Sequence, residues 1–248
     1  MQNERDAENK RTLIIIPAYN EGENLPKLFE ALKNTEGDFD ILVINDCSKD
    51  NTGAVCKSHG IRVVNLPVNL GIGGAVQTGY QYALYNDYDI AVQIDGDGQH
   101  DPKFLPYLIK RINEGYHLCI GSRFIENEGF QSSRIRRIGI KYFSWLIKLL
   151  TGTRITDPTS GYRACSRDVI RLFANDYPKD YPEPETVVTV LRNKLKVCEM
   201  PVIMNAREGG KSSITNLKSI YYMIKVTLAI MIASISRKSV VKDYVDYE

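Results

Sequence analysis

Short apolar runs rich in β-branched residues recur through the first half of the chain, and they constrain its fold more than any other feature. Most are separated by stretches with helical spacing of apolar residues, as at Leu25, Leu28 and Leu32. Strands that alternate with helices are typical of βαβ units. The sequence therefore predicts an α/β fold with a mostly parallel central sheet. The predicted strands cover residues 12–16, 41–44, 61–64, 91–94 and 118–120.

Polar clusters follow four of these runs at the point where each predicted strand ends. They are residues 19–21, residues 46–50, residues 95–99, and Arg123. Ligands of open parallel sheets bind beyond the carboxyl ends of the strands. We therefore expect these four clusters to meet in one binding site.

The third cluster contains candidate metal ligands. Asp95 and Asp97 are separated by a single glycine, and a divalent cation would offset the repulsion between their carboxylates. Carboxylate oxygens suit Mg²⁺ or Mn²⁺, which commonly complete their shell with substrate phosphates and water. Gln99 would add an amide oxygen. The alternative for Asp-Gly-Asp alone is a turn without metal; an EF-hand loop is disfavoured because the glutamate of that pattern is missing.

A glycine-rich segment at residues 71–74 partly resembles a dinucleotide-binding fingerprint. The match fails because Val76 stands where the last glycine is required, and because the segment follows the third strand rather than the first. Glycines that ease a helix start against the sheet are the better interpretation, and a dehydrogenase is disfavoured.

Composition limits the ligand classes and the cellular location that we expect for the protein. The 248 residues carry a net charge of +2, which gives no argument for nucleic-acid binding. The five cysteines form no CxxC pair, which argues against a zinc site and a disulfide framework and favours a reducing, cytosolic location. Residues 1–11 are polar and do not resemble a signal peptide. We expect a catalytic domain over residues 12–213, an apolar helical segment over 214–238, and a polar tail over 239–248.

Two predicted helices combine apolar and basic residues. Residues 134–150 begin with arginines, and the region would form either a core helix with a solvated first turn or a helix at a membrane surface. The last helix would run from Asn216 or Ser219 to Ser236, and its apolar part is shorter than the roughly 20 residues a membrane span needs. We expect this helix to lie at an interface or on a partner rather than to cross a membrane. The loop of residues 207–213, basic and softened by glycine, suits contact with phosphate.

Six motifs, in their order and spacing along the chain, resemble those of the large inverting glycosyltransferase family 2 with the GT-A fold. They are most similar to its polyprenyl-phosphate (dolichyl-phosphate mannose synthase-like) branch. The resemblance runs from about Thr12 to Ser213. The Gln-x-x-Arg-Trp motif of processive polysaccharide synthases is absent, because the single tryptophan, Trp145, follows Ser144. The motifs occupy residues 16–21, 44–50, 69–71, 95–100, 121–123 and 157–163.

The resemblance implies a Rossmann-like nucleotide-sugar-binding domain. The activity would be metal-dependent, inverting transfer from a UDP- or GDP-sugar to undecaprenyl or dolichyl phosphate at the cytosolic membrane face. The catalytic set would be Asp97, Arg123, Asp157 and Arg207. Donor contacts would come from Pro17, Ala18, Tyr19, Glu21, Asp46, Ser48, Asp95, Gly96, Asp97, Arg207 and Lys211, and metal ligands from Asp95, Asp97 and Gln99.

For the acceptor phosphate, the resemblance implies contacts from Arg123, Arg134 and Arg137, with Arg136 as an alternative to the last two. Asp157 would orient Arg123 or the sugar, or be a turn residue. The chain departs from mannose synthases at Ser213, where they have a lysine, and Lys211 lies two residues earlier. This departure leaves the sugar and the role of Lys211 open.

Two other functions remain open at this point. The same fold acting on a soluble or glycan hydroxyl would need a general base and would leave the apolar last helix unexplained. A non-catalytic nucleotide-sugar-binding subunit is disfavoured by the intact Asp95, Asp97 and Arg123. A membrane surface, a small membrane protein or a second copy of the chain are the expected partners of the last helix, and nucleic acid is not.

Overall fold

The computed structural model describes residues 10–126, 128–131, 133–205 and 216–235, with backbone alone for Ile135 and residues 216–220. The predicted phosphate-contacting residues Arg207 and Lys211 lie outside the described residues, as do most of the predicted N-terminal tail and the C-terminal tail.

The described residues form one seven-stranded sheet in the order β3-β2-β1-β4-β6-β5-β7. Only β6 runs antiparallel to its neighbours within this described sheet, so the predicted mostly parallel sheet is confirmed. The motif at residues 157–163 runs into β6, because Arg163 and Ala164 pair with β4 and β5. The strands are β1 (Thr12–Ala18), β2 (Asp40–Asn45), β3 (Arg62–Asn65), β4 (Ile90–Gln93), β5 (Leu118–Ser122), β6 (Arg163–Ser166) and β7 (Val197–Pro201).

Local sequence explains where several helices begin and end. Asp101 caps a 3₁₀ turn, Pro102–Phe104, because its carboxylate accepts a hydrogen bond from Lys103 N–H (3.0 Å). Ser133 caps α5 in the same way, and Gly152 ends it in the left-handed region (φ 76°). The helices are α1 (Leu25–Lys33), α2 (Thr52–Ser58), α3 (Gly71–Tyr85), α4 (Leu105–Asn113), α5 (Arg134–Thr151), α6 (Arg167–Asn175), α7 (Pro182–Arg192) and α8 (Asn216–Ile235).

The sheet is buried on both faces. In β1, Leu13 and Ile15 face one apolar cluster, while Ile14 and Ile16 face the other. Successive side chains of a strand point to opposite faces, so a strand covered on both sides needs an unbroken apolar run. This is why β1 has no polar alternation, and why its polar residues begin only where the strand ends.

The two helices with mixed character pack against each other. α5 buries Phe143, whose ring meets the ring of Tyr222 of α8 edge to face at 5.6 Å. α8 buries Ile230, which is 0% exposed, against the same core cluster. Both helices also leave apolar residues in solvent, including Trp145 and Ile232. Within the described part of the chain, no helix has the length and apolar character needed to cross a membrane.

Candidate active site

A cleft of about 390 Å³ lies at the carboxyl ends of β1, β2 and β4; we call it the strand-end cleft. Three of the four predicted clusters meet there, which confirms their convergence. The fourth, Arg123, does not line the cleft. The strand-end cleft is lined by Pro17, Ala18, Tyr19, Glu21, Asp46, Ile72, Ala75, Asp95, Gly96, Asp97, Gln99, Arg136 and Tyr181.

One wall of the cleft is held by Asp46 at the end of β2. Its buried carboxylate accepts hydrogen bonds from the backbone N–H groups of Leu70 (2.6 Å) and Gly71 (2.9 Å), which fixes the start of α3 against the strand. Ser48 supports the neighbouring loop instead of lining the cleft, because its hydroxyl accepts a hydrogen bond from Asn20 N–H (2.9 Å). The structure therefore places Asp46 in the cleft and Ser48 behind it.

Asp95 is positioned by a buried histidine. The Nδ1 atom of His100 accepts a hydrogen bond from Asp95 N–H (3.0 Å), so the ring proton lies on Nε2, 3.7 Å from the Asp95 carboxylate. The imidazole stacks on Tyr162 with ring centroids 4.8 Å apart. Sequence reasoning assigned no role to His100, although it lies within a recognised motif.

The residues around Asp95 and Asp97 fit a hard divalent cation. A Cβ atom added at Gly161 would lie 3.3 Å from both carboxylate oxygens of Asp95, so the glycine keeps space open beside them. Asp97 accepts a hydrogen bond from Gln99 N–H (3.0 Å). This bond closes a tight turn that holds Asp97 and Gln99 close together. Within the described residues, no group of three His, Cys, Asp or Glu side chains can hold a metal ion. Magnesium-type sites with one or two carboxylates take further ligands from substrate phosphates and water.

Arg123 and Asp157 form a buried ion pair. Nε and Nη2 of Arg123 donate to the two carboxylate oxygens of Asp157 at 2.6 and 2.7 Å, and the two side chains are 7% and 0% exposed. Of the alternatives for Asp157, the structure therefore shows the contact with Arg123. Behind the pair, Glu199 accepts hydrogen bonds from the N–H groups of Thr156 and Asp157, and burial raises the pKa of the Glu199 carboxyl.

The three arginines of α5 point in different directions, since successive helical residues are rotated by about 100°. Arg136 lines the strand-end cleft, and Arg134 is exposed and lines neither cavity. Arg137 lines a second cavity of about 440 Å³, which we call the basic cavity. The contacts of Arg134 and Arg137 with an acceptor phosphate remain a prediction, and of these three arginines Arg136 is the one that lines the strand-end cleft. The basic cavity is lined by Phe124, Arg137, Ile140, Lys141, Ser144, Trp145, Lys148, Arg154 and Thr156.

Sequence reasoning also missed the contribution of α7. Tyr181, in the left-handed region at φ 51°, precedes α7 and lines the cleft. Burial raises the pKa of Glu183 in the first turn of α7, and the charges of Arg163, Asp95 and Arg136 also act on it. Glu183 therefore lies within electrostatic range of the cleft, a proximity that the proline-rich stretch around it did not indicate.

Comparison with known sequences identifies the family. Residues 13–173 match the family described as Glycosyl transferase family 2, and the chain belongs to it. The chain is 31% identical over 227 residues to the polyprenol monophosphomannose synthase of Mycolicibacterium smegmatis, covering 88% of this chain and 86% of that protein. It is 29% identical over 215 residues to the UDP-N-acetylglucosamine–dolichyl-phosphate N-acetylglucosaminyltransferase of Methanococcus voltae, covering 78% and 85%.

Solved structures confirm the GT-A fold. Glucosyl-3-phosphoglycerate synthase from Mycobacterium tuberculosis, crystallised with Mn²⁺, UDP-glucose and phosphoglyceric acid, superposes with a TM-score of 0.71 at 20% identity. The match covers 94% of this chain and 83% of that one. The chain is thus a glycosyltransferase of family 2 on a GT-A fold, as the motifs predicted.

Proposed function

We propose that this protein transfers a sugar, with inversion and with a divalent cation, from a nucleotide-sugar to a polyprenyl phosphate. The observation that carries the proposal is that one cleft joins the carboxylates of Asp95 and Asp97 to the guanidinium of Arg136. The two carboxylates of the cleft would hold a divalent cation for the diphosphate of the donor. The guanidinium would hold an anionic acceptor. The names of the two sequence relatives support a polyprenyl-type phosphate as acceptor.

On the donor side, Asp95, Asp97 and Gln99 would hold Mg²⁺ or Mn²⁺. The ion would supply charge to offset that developing on the departing diphosphate. The nucleoside would be contacted by Pro17, Ala18, Tyr19 and Asp46. Gly96 has no side chain, so its backbone would be able to approach the donor. Glu21 belongs to the same wall, and Ser48 would act indirectly through the loop it supports. Arg207 and Lys211 remain proposed diphosphate contacts outside the described residues.

On the acceptor side, the nucleophile would be a phosphate monoester oxygen. Its second pKa is about 6, so the group is largely ionised near neutral pH and needs no general base. Arg136 would hold this anion in the cleft, with Arg123 kept in a fixed orientation by Asp157.

The bond changes balance without a further reactant. An acceptor oxygen forms a bond to the anomeric carbon while the bond from that carbon to the diphosphate oxygen breaks, and the nucleoside diphosphate leaves. A single displacement of this kind inverts the configuration at the anomeric carbon.

The exposed apolar faces of α5 and α8 support a peripheral position at the cytosolic membrane surface. A polyprenyl chain stays in the bilayer, so the enzyme must reach its phosphate from the surface. The exposed residues on these helices include Ile138, Trp145, Leu149, Ile224, Leu228 and Ile232. A small membrane protein or a second copy of the chain would be alternative partners for the α8 face.

A turnover assay tests the proposal. The protein is incubated with UDP- or GDP-sugars and with undecaprenyl phosphate, a glycan hydroxyl acceptor or a soluble phosphate acceptor, with Mn²⁺ or with EDTA. We expect product with polyprenyl phosphate and metal, and none from Asp97→Ala, while Asp87→Ala at an exposed ion pair stays active. Equal activity in EDTA contradicts the metal role, and product only with the hydroxyl or soluble acceptor contradicts the lipid acceptor.

A further inference from the structure

The basic cavity is more cationic than the proposed transfer reaction requires. Arg137, Lys141, Lys148 and Arg154 line it, and no carboxylate does. None of these four forms an ion pair with another residue that the structure describes. Four like charges around about 440 Å³ repel one another, and an anion would relieve the repulsion.

The cavity is long enough for an anion apart from the acceptor phosphate. Arg136 and Arg137 lie in the first turn of α5, next to the strand-end cleft, whereas Lys148 lies in its last turn. Lys148 lies eleven positions after Arg137, which is about 16 Å along the helix axis. A phosphate bound at Arg137 would not reach Lys148 in the last turn of α5, so the cations further along the cavity need a different explanation.

The surroundings of the far end are typical of a bilayer interface. Trp145 lines the cavity and is 57% exposed, and Ile138 and Leu149 are exposed on the same side of α5. Tryptophan and basic residues beside exposed aliphatic side chains are typical of helices that lie among lipid headgroups. The exposed apolar face of α8, which packs on α5, extends this surface.

We propose that the part of the basic cavity beyond Arg137, lined by Lys148 together with Lys141 and Arg154, binds the phosphate of an anionic bilayer phospholipid while Trp145 enters the interface. The inference rests on the proposed function only in requiring that the enzyme work at a bilayer. The site would hold a lipid that is not consumed, and would orient α5 so that the strand-end cleft faces the membrane.

Trp145 gives a direct readout, because it is the single tryptophan of the chain. Full-length protein is titrated with vesicles of phosphatidylcholine and phosphatidylglycerol, and separately with pure phosphatidylcholine vesicles and with soluble glycerol phosphate. We expect a blue shift of the tryptophan emission and quenching by lipids brominated on the acyl chain with the anionic vesicles. Glycerol phosphate should give no blue shift.

Variants assign the binding to the cavity. Removing two cations near an anionic surface should weaken partition about fivefold for each charge, so Lys148→Ala with Arg154→Ala should lose about 25-fold. The matched control, Lys57→Ala with Lys110→Ala, removes the same charge from exposed positions on α2 and α4. Circular dichroism and thermal melting check that both double variants fold.

Two results would overturn the inference. Vesicle binding with unchanged tryptophan emission would show that another surface docks, and equal losses in the two double variants would show that net charge alone acts. Neither readout uses turnover. Failure of the proposed reaction therefore appears as absent product with normal vesicle binding, whereas failure of the headgroup site appears as normal product with unchanged emission.

Discussion

Substitution of Asp157 by asparagine tests whether the buried ion pair with Arg123 maintains the site. Asp157→Asn keeps the shape of the side chain but removes the negative charge that faces a guanidinium only 7% exposed. The amide can offer one oxygen, so one of the two bonds at 2.6 and 2.7 Å loses its acceptor. Breaking a buried pair by removing one partner costs about 3–5 kcal/mol.

The assay is urea unfolding followed by circular dichroism at neutral pH. For a chain of this size, a loss of about 3–5 kcal/mol corresponds to a drop in Tm of about 6–20 °C. An unchanged dependence on urea concentration would show that the denatured state is not altered. The variant should also lose kcat more than it raises KM for the donor, because Arg123 is proposed to act on the acceptor.

The matched control is Asp87→Asn. Asp87 accepts from Arg167 at 2.7 Å, so the chemistry and distance are those of the buried pair, but the site is exposed. Exposed pairs contribute little, and we expect this variant to unfold close to wild type. A loss for Asp157→Asn no greater than for Asp87→Asn would refute the reasoning from burial.

Three further predictions concern other parts of the site and its support. Gly161→Ala would place a Cβ atom 3.3 Å from both Asp95 carboxylate oxygens and should weaken Mn²⁺ binding in the presence of nucleoside diphosphate about tenfold. Electron paramagnetic resonance measures this affinity, and an unchanged affinity would mean that the ion does not use this space. Ile230→Ala on the buried face of α8 should lose about 2–5 kcal/mol in urea unfolding, whereas Ile232→Ala on the exposed face should lose little; similar losses would contradict the packing of α8 on the domain. Burial raises the pKa of Glu183, so the native state favours the protonated carboxyl, and the free energy of unfolding should fall as pH rises above the ordinary pKa of 4.5. Glu183→Gln should lack this fall in urea unfolding at several pH values. Parallel pH profiles for the variant and the wild type would contradict the prediction.

The sheet and the cleft could be predicted because their signals are local. Apolar runs covered on both faces mark parallel strands, and polar residues at their ends mark the edge where a ligand binds. β6 could not be found in this way, because Arg163–Ser166 is short and mixed in composition. Its strand conformation depends on β4 and β5, which it joins through antiparallel pairing.

The position of each arginine of α5 depends on geometry that the sequence alone does not give. Arg136 and Arg137 are adjacent in sequence but line different cavities, and the rotation of α5 about its axis is set by the burial of Phe143 and Ile147. Tyr181 was missed because its role depends on a left-handed backbone that its sequence does not indicate. For α8, composition revealed an apolar helix, whereas its partners on α5 and α7 depend on the tertiary fold.

The central claim is that an acceptor phosphate oxygen displaces the nucleoside diphosphate. Phosphorus NMR of the reaction with a polyprenyl phosphate labelled with ¹⁸O on phosphorus tests it most directly. We expect the acceptor signal to move from a monoester to a sugar phosphodiester that retains the label, while the released nucleoside diphosphate is unlabelled. Consumption of the nucleotide-sugar with the labelled monoester unchanged would contradict the claim.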